Sequence, residues 1–253
     1  NMFIRPTEDE LKDFKPDFKL MKRMFFLGFP ASIEQSMRAF GMTAMITLVT
    51  SFGTTAIASY GIGTRILSFI IIPAIGISIA TSTLVGQNIG AGKPKRAKQI
   101  TKISSELSFV ILTVAGIILF AFSNQLAQFF IPGEADVISS SSLFIRIMAL
   151  TFGFIGLQQA LLGAFRGAGN TVITMVLSIV SLWIIQFPLA YILSNTALLG
   201  EVGIWLSFPI SNVLSAIIAL AWYKKRSLKV GKPVFGDELT KEVMNEAVID
   251  DVM

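Results

Sequence analysis

Inside the apolar run "LGFPASIEQSMRAFG", Glu34 and Arg38 stand four residues apart, with Gln35 beside the acid. On a helix that spacing puts a carboxylate and a guanidinium on one face, close enough to neutralise each other. Arg65 and Arg146 are two further cations set among apolar residues, and Gln158 and Gln159 form an adjacent amide pair. Such groups could bind an anionic ligand, accept a proton or fasten helices together. Enzymatic chemistry has little to use. The chain contains no His and no Cys, which removes the commonest general base and the thiolate metal ligands. Neither paired carboxylates nor a metal-ligand cluster stand out, so the chain is read as a non-enzyme with no metal and no cofactor.

The stretch "TSTLVGQNIGAGKPKRAKQ" poses a rival reading as a phosphate-binding loop. A nucleotide loop needs G-x-x-x-x-G-K-[ST] between a strand and a helix. Gly86 has Ala91 at the required spacing, and Lys93 is followed by Pro94. The glycines instead suit a tight turn at a helix end, and "KPKRAK" suits anionic lipid headgroups. No nucleic-acid partner is expected.

The elements that position these residues follow from composition. Apolar residues make up 53% of the 253 positions and charged residues 15%, well below the roughly 25% charge of soluble domains. Crossing a hydrocarbon core takes about 20 mostly apolar residues. Six such runs are present, roughly Leu27–Phe52, Ile57–Val85, Ile103–Phe122, Val137–Phe165, Val172–Leu193 and Gly203–Tyr223. The second is expected to bend at Pro73, and the fourth to be one long tilted helix. "SFGTT", "GAGKPKRAKQ", "SNQLAQFFIPGEAD", "RGAGNT" and "SNTALLGE" separate them as turns. The fold class is therefore an all-α membrane protein, a six-transmembrane-helix bundle. Residues 1–23 read as a cytoplasmic linker with an interfacial segment, 24–226 as the helical lobe and 227–253 as a cytoplasmic tail.

Basic residues fix the direction. Lys93, Lys95, Arg96, Lys98 and Lys102 follow the second run, Arg166 ends the fourth, and Lys224, Lys225 and Arg226 follow the sixth. The opening segment adds Arg5, Lys12, Lys15, Lys19, Lys22 and Arg23, while the loops after runs one, three and five hold no Lys or Arg. That alternation is the positive-inside pattern for a cell-membrane protein with both ends cytoplasmic. Tyr191 and Trp205 at one end, and Trp222 and Tyr223 at the other, are expected at headgroup depth.

Each charge at mid-membrane costs about 2.5–3.5 kcal/mol on insertion scales. Glu34, Arg38, Arg65 and Arg146 must therefore face protein or water. Two readings stand side by side: structural pairing, or a transport cavity whose net positive charge suits an anionic group. Gln35, Gln158, Gln159, Gln186 and Asn212 divide likewise between helix glue and cavity lining. The positive balance also admits a flippase for anionic lipid-linked precursors.

"LGFPASIEQSMRAFG", "ASYGIGTRILSFIIIPAIGISIATSTLVGQNIGAGKPKRA" and "FRGAGNT" strongly resemble the multidrug and toxic compound extrusion (MATE) transporters. The resemblance runs from about Lys19 to Lys225. It implies one six-helix lobe of a twelve-helix exporter, the C-terminal one, whose N-terminal lobe is its missing partner. It also implies small organic substrates, membrane lipid and a coupling H+ or Na+. In some branches a carboxylate on the first helix of this lobe binds the coupling cation. Arg38 stands about where that acid is expected, with Glu34 one turn before it, which implies coupling through the other lobe.

Overall fold

A computed structural model describes residues 18–195 and 199–226, apart from the side chains of residues 19, 23 and 226. The tail, most of the linker and most of its basic residues lie outside the described residues. Within them the chain is helical: α1 Phe18–Thr50, α2 Thr54–Gly90, α3 Pro94–Ala121, α4 Ser123–Phe130, α5 Ala135–Ala149 and α6 Phe152–Gly167. There follow α7 Thr171–Ile179, a π-helical segment Val180–Gln186, α8 Phe187–Asn195 and α9 Glu201–Arg226. Four rods are long and apolar enough to cross a membrane: α2, α3, the continuous rod Thr171–Asn195 and α9. A fifth forms if α5 and α6 are counted as one span. α1 is 33 residues long, yet Lys22, Glu34, Gln35 and Arg38 dilute its apolar content below that of the others. It completes the bundle by packing along α7.

The turns end helices by ordinary capping. Gly92 (φ 67°) and Gly169 (φ 77°) take the left-handed conformation. Lys93 N–H then reaches Asn88 O and Asn170 N–H reaches Phe165 O, the Schellman closure that glycine permits. Pro94 opens α3, where its missing N–H costs nothing. The "GAGKPKR" stretch is a helix–turn–helix connection and not a phosphate loop. Val85, Ala97, Ala164 and Ala168 pack together with Tyr223 beside them. The turns after α2 and α6 and the end of α9 therefore share one end of the bundle, and their basic residues share it too.

α6 is the central rod, against α2, α3 and α9. It reaches that position because its contact stripe is small. A Cβ on Gly163 or Gly167 would overlap the backbone oxygens of Ser78 and Ser82 on α2. On α3, Ser108 O lies 2.6 Å from where a Cβ of Gly156 would sit. Close backbone approach of this kind is how helices associate where lipid offers no hydrophobic gain. Toward the opposite end, Tyr60, Phe144, Trp205 and Phe208 form an aromatic core, with Phe144 and Trp205 centroids 4.4 Å apart.

Three expectations are revised. Trp205 has no exposed surface: its ring is core packing, not a headgroup anchor. The fourth span is broken at Leu150–Thr151 with a bend of 51° between α5 and α6. Thr151 marks the break, donating from both its N–H and its Oγ1 to Met148 O three residues back. The "SNQLAQFF" turn is a helix, α4, folded back on α5.

Candidate functional site

Between α1 and α2 the bundle opens into a cavity of about 380 Å³. Met45, Tyr60, Met148, Ile155, Leu162 and Phe208 make its buried floor, while Met42, Ile46, Arg65 and Ser68 line it from exposed positions at the mouth. Polar groups dot the walls: Gln158 and Gln159 from α6, Ser178 from α7, Ser181 and Gln186 from the π segment, and Asn212 from α9. A mostly apolar concavity with a few placed polar groups is the usual form of a small-molecule site. Four methionines (Met37, Met42, Met45 and Met148) line it, and their flexible thioethers adapt to differing shapes.

The π segment shapes one wall. Phe187 N–H bonds to Leu182 O, five residues back, and Pro188 directly after it has no N–H to give the next carbonyl. The widened turn aims Ser181 at Ser215 Oγ (2.5 Å) and Trp183 Nε1 at Met37 O (3.2 Å). Ser211 Oγ donates to Ser181 O at 3.1 Å. A Cβ on Gly41 would overlap the Leu182 side chain, so α1 meets the π segment at a glycine.

At the basic end of the cavity sits an ion cluster. Glu34 is only 2% exposed. Its Oε1 accepts from Arg166 Nη2 at 2.7 Å, Ser178 Oγ at 3.0 Å and Arg38 Nη2 at 3.4 Å. Arg166 Nη1 also donates to Ser78 Oγ at 3.3 Å, and Ser78 Oγ donates to Gln159 O at 2.7 Å. Four helices meet in these bonds: α1, α2, α6 and α7. A buried carboxylate between two guanidiniums needs this pairing, because an unpaired ion there would carry the full desolvation penalty.

Five of the six expected site residues line the cavity: Glu34, Arg38, Arg65, Gln158 and Gln159. Gln35 does not. One residue on from Glu34 is a rotation of about 100°, and Gln35 is exposed on the outer face. The Glu34–Arg38 pair forms, but the shorter bond goes to Arg166, which sequence reading leaves as a loop charge. Arg146 lies away from the cavity: its Nε donates to Ser123 Oγ at 2.8 Å and its guanidinium sits 5.9 Å from the Phe120 ring centre. Arg65 is the contrast. Among the described residues it has neither a hydrogen bond nor an ion pair.

Sequence comparison gives the arrangement its family. The MatE family matches residues 30–192, the stretch that carries α1 through α8. The chain belongs to the MatE family. Curated MATE relatives include the probable multidrug resistance protein YoeA of Bacillus subtilis (strain 168), 28% identical over 210 residues, 83% of this chain and 45% of the relative. The probable multidrug resistance protein NorM of Thermotoga maritima is 28% identical over 208 residues, 82% of this chain and 45% of the relative. The fold is that of solved MATE transporters. An outward-facing one matches with a TM-score of 0.77 at 20% identity, covering 82% of this chain and 46% of that one. An inward-facing one matches with a TM-score of 0.76 at 22% identity, covering 87% and 51%. The chain spans about half the length of the curated relatives it matches. It is a membrane-embedded member of this family, all-helical and corresponding to about half of a MATE chain.

Proposed function

We propose that this lobe is the C-terminal half of an exporter of small amphipathic organic compounds, driven by an inward H+ or Na+ gradient in the cell membrane. The observation that carries the reading is the methionine-lined cavity, open between α1 and α2, within a lobe of MATE fold. Its basic end is the cytoplasmic one on the positive-inside pattern, which puts both ends of the lobe at that leaflet. The similar fit to outward-facing and inward-facing structures supports a lobe that keeps its fold while the halves rock about a midplane site. The relatives named above are called probable multidrug resistance proteins and neither is called a flippase, so export is the reading carried forward.

Glu34 acts in this account as the strut of the lobe, holding α1 to α6 and α7 through Arg166 and Ser178. Gln158, Gln186 and Asn212 supply neutral hydrogen-bond partners for varied substrates. The test uses the full-length protein in sealed vesicles, loaded with a fluorescent substrate and given an imposed H+ or Na+ gradient. Export that follows one gradient and is lost in Glu34→Gln supports the reading. Dye movement indifferent to both gradients would refute it.

A further inference from the structure

The charges on the cavity walls do not balance. Glu34 is the one acid lining it among the described residues, against Arg38 and Arg65 on the walls and Arg166 behind Glu34. Arg166 and Arg38 are both engaged with Glu34. Arg65 has no hydrogen bond or ion pair among the described residues. It lies thirteen residues before Ser78, about 20 Å along α2, so the ion cluster that Ser78 joins is far down the helix from it. The side chain stands at the mouth beside Ser68, with the methionine and aromatic floor beneath. An unpaired guanidinium at the mouth of an apolar hollow presents a fork of donors that matches a carboxylate, sulfonate or phosphate. A flexible, polarisable floor fits a bulky apolar body of loosely defined shape.

Resting on the exporter reading above, we infer that the cavity takes amphipathic molecules carrying an acidic group, and that Arg65 holds that group. The apolar body lies over Met45, Met148 and Phe208, and the acidic group meets Arg65 at the mouth. A cationic amphiphile of the same shape is disfavoured, since Glu34 is buried with only its Oε2 without a bond, and Arg38 and Arg166 beside it repel a second cation. An anionic lipid headgroup offers the same chemistry as a soluble organic acid, and the experiment separates the two.

The experiment measures binding of dansylglycine and dansylcadaverine, one fluorophore with opposite charges, to the full-length protein in phosphatidylcholine nanodiscs. Dansylglycine binds more tightly in wild type. Arg65→Gln weakens it by about tenfold, the worth of one hydrogen bond to a charged group, and Arg65→Lys retains most of the affinity. Because Arg65 has no partner to lose among the described residues, the variants keep the wild-type melting temperature. Adding phosphatidylglycerol to the discs identifies the source. Competition that disappears in Arg65→Gln makes the acid a lipid headgroup, and no competition makes it a soluble one; either supports the site. Equal or tighter dansylcadaverine binding overturns the inference. So does an Arg65→Gln variant that binds dansylglycine normally but melts lower, since Arg65 then serves a carboxylate of the facing half. Vesicle export of the same probes separates this from the exporter reading: export of dansylcadaverine alone keeps the exporter and removes the acid preference, whereas binding without export does the reverse.

Discussion

Arg166 Nη2 donates to Glu34 Oε1 across 2.7 Å, joining the last turn of α6 to the middle of α1. The two residues are 132 positions apart, so this bond closes a large part of the lobe. Glu34→Gln leaves Arg166 and Arg38 facing a neutral amide, and Arg166→Gln leaves the buried carboxylate with the weaker Arg38 bond. Breaking a buried pair from one side costs about 3–5 kcal/mol. Arg166 is 30% exposed, which places these variants near about 3 kcal/mol. The double variant recovers part of that loss, because neither charge is left stranded. Chemical unfolding of the four proteins in detergent gives the cycle; strictly additive losses would show that the two side chains do not depend on each other.

Helix spacing gives a second prediction. Gly163→Ala on α6 drives a methyl into Ser78 O on α2, and a backbone oxygen cannot swing aside. The expected loss is about 1–3 kcal/mol, typical of overpacking. Gly76→Ala, on α2, meets nothing within 4 Å and gains about 0.5–1 kcal/mol from the lower entropy of the unfolded chain. Thermal melts of the full-length variants in detergent should therefore move in opposite directions.

How much of this could be read from the sequence depends on the range of each interaction. The long apolar helices α2, α3 and α9, the glycine turns after α2 and α6 and the Glu34–Arg38 pair are local, and each is present as expected. Small residues of "GFIGLQQALLG" and "GISIATST" lie at the α2–α6 contact, Gly163 against Ser78. Arg166 reads from the sequence as a charge that ends a span on the basic side; only the fold shows it turned inward to Glu34. Its clue was arithmetic: Glu34 is the one acid away from the span ends, against Arg38, Arg65 and Arg146. Trp205 failed for a related reason, since depth along a helix says nothing about direction around it, and for the same reason only the fold shows that Arg146 takes the structural alternative. Nor does local pattern announce the break at Thr151, which carries no proline. Pro188 was visible, but not that the helix would widen ahead of it.

The π segment leads to a third prediction. Pro188→Ala restores an N–H and lets the helix tighten to the α spacing. Removing the extra residue of the wide turn rotates the preceding wall by about 100°, taking Ser181 away from Ser215 and from the cavity. In a background free of other cysteines, a cysteine at Ser181 reacts with a water-soluble thiol reagent through the cavity. The added Pro188→Ala change slows that reaction several-fold and lowers export with it. Unchanged labelling would mean that the proline does not set the geometry of this wall.

The cavity between α1 and α2 as the route of export is tested most directly at Gln158, a half-buried wall residue. A single cysteine there, in a full-length protein with any other cysteines replaced, is modified with a bulky maleimide and reconstituted in sealed vesicles. The account predicts gradient-driven export before modification and its abolition afterwards, with the melting temperature unchanged. Undiminished export from fully modified protein would contradict it.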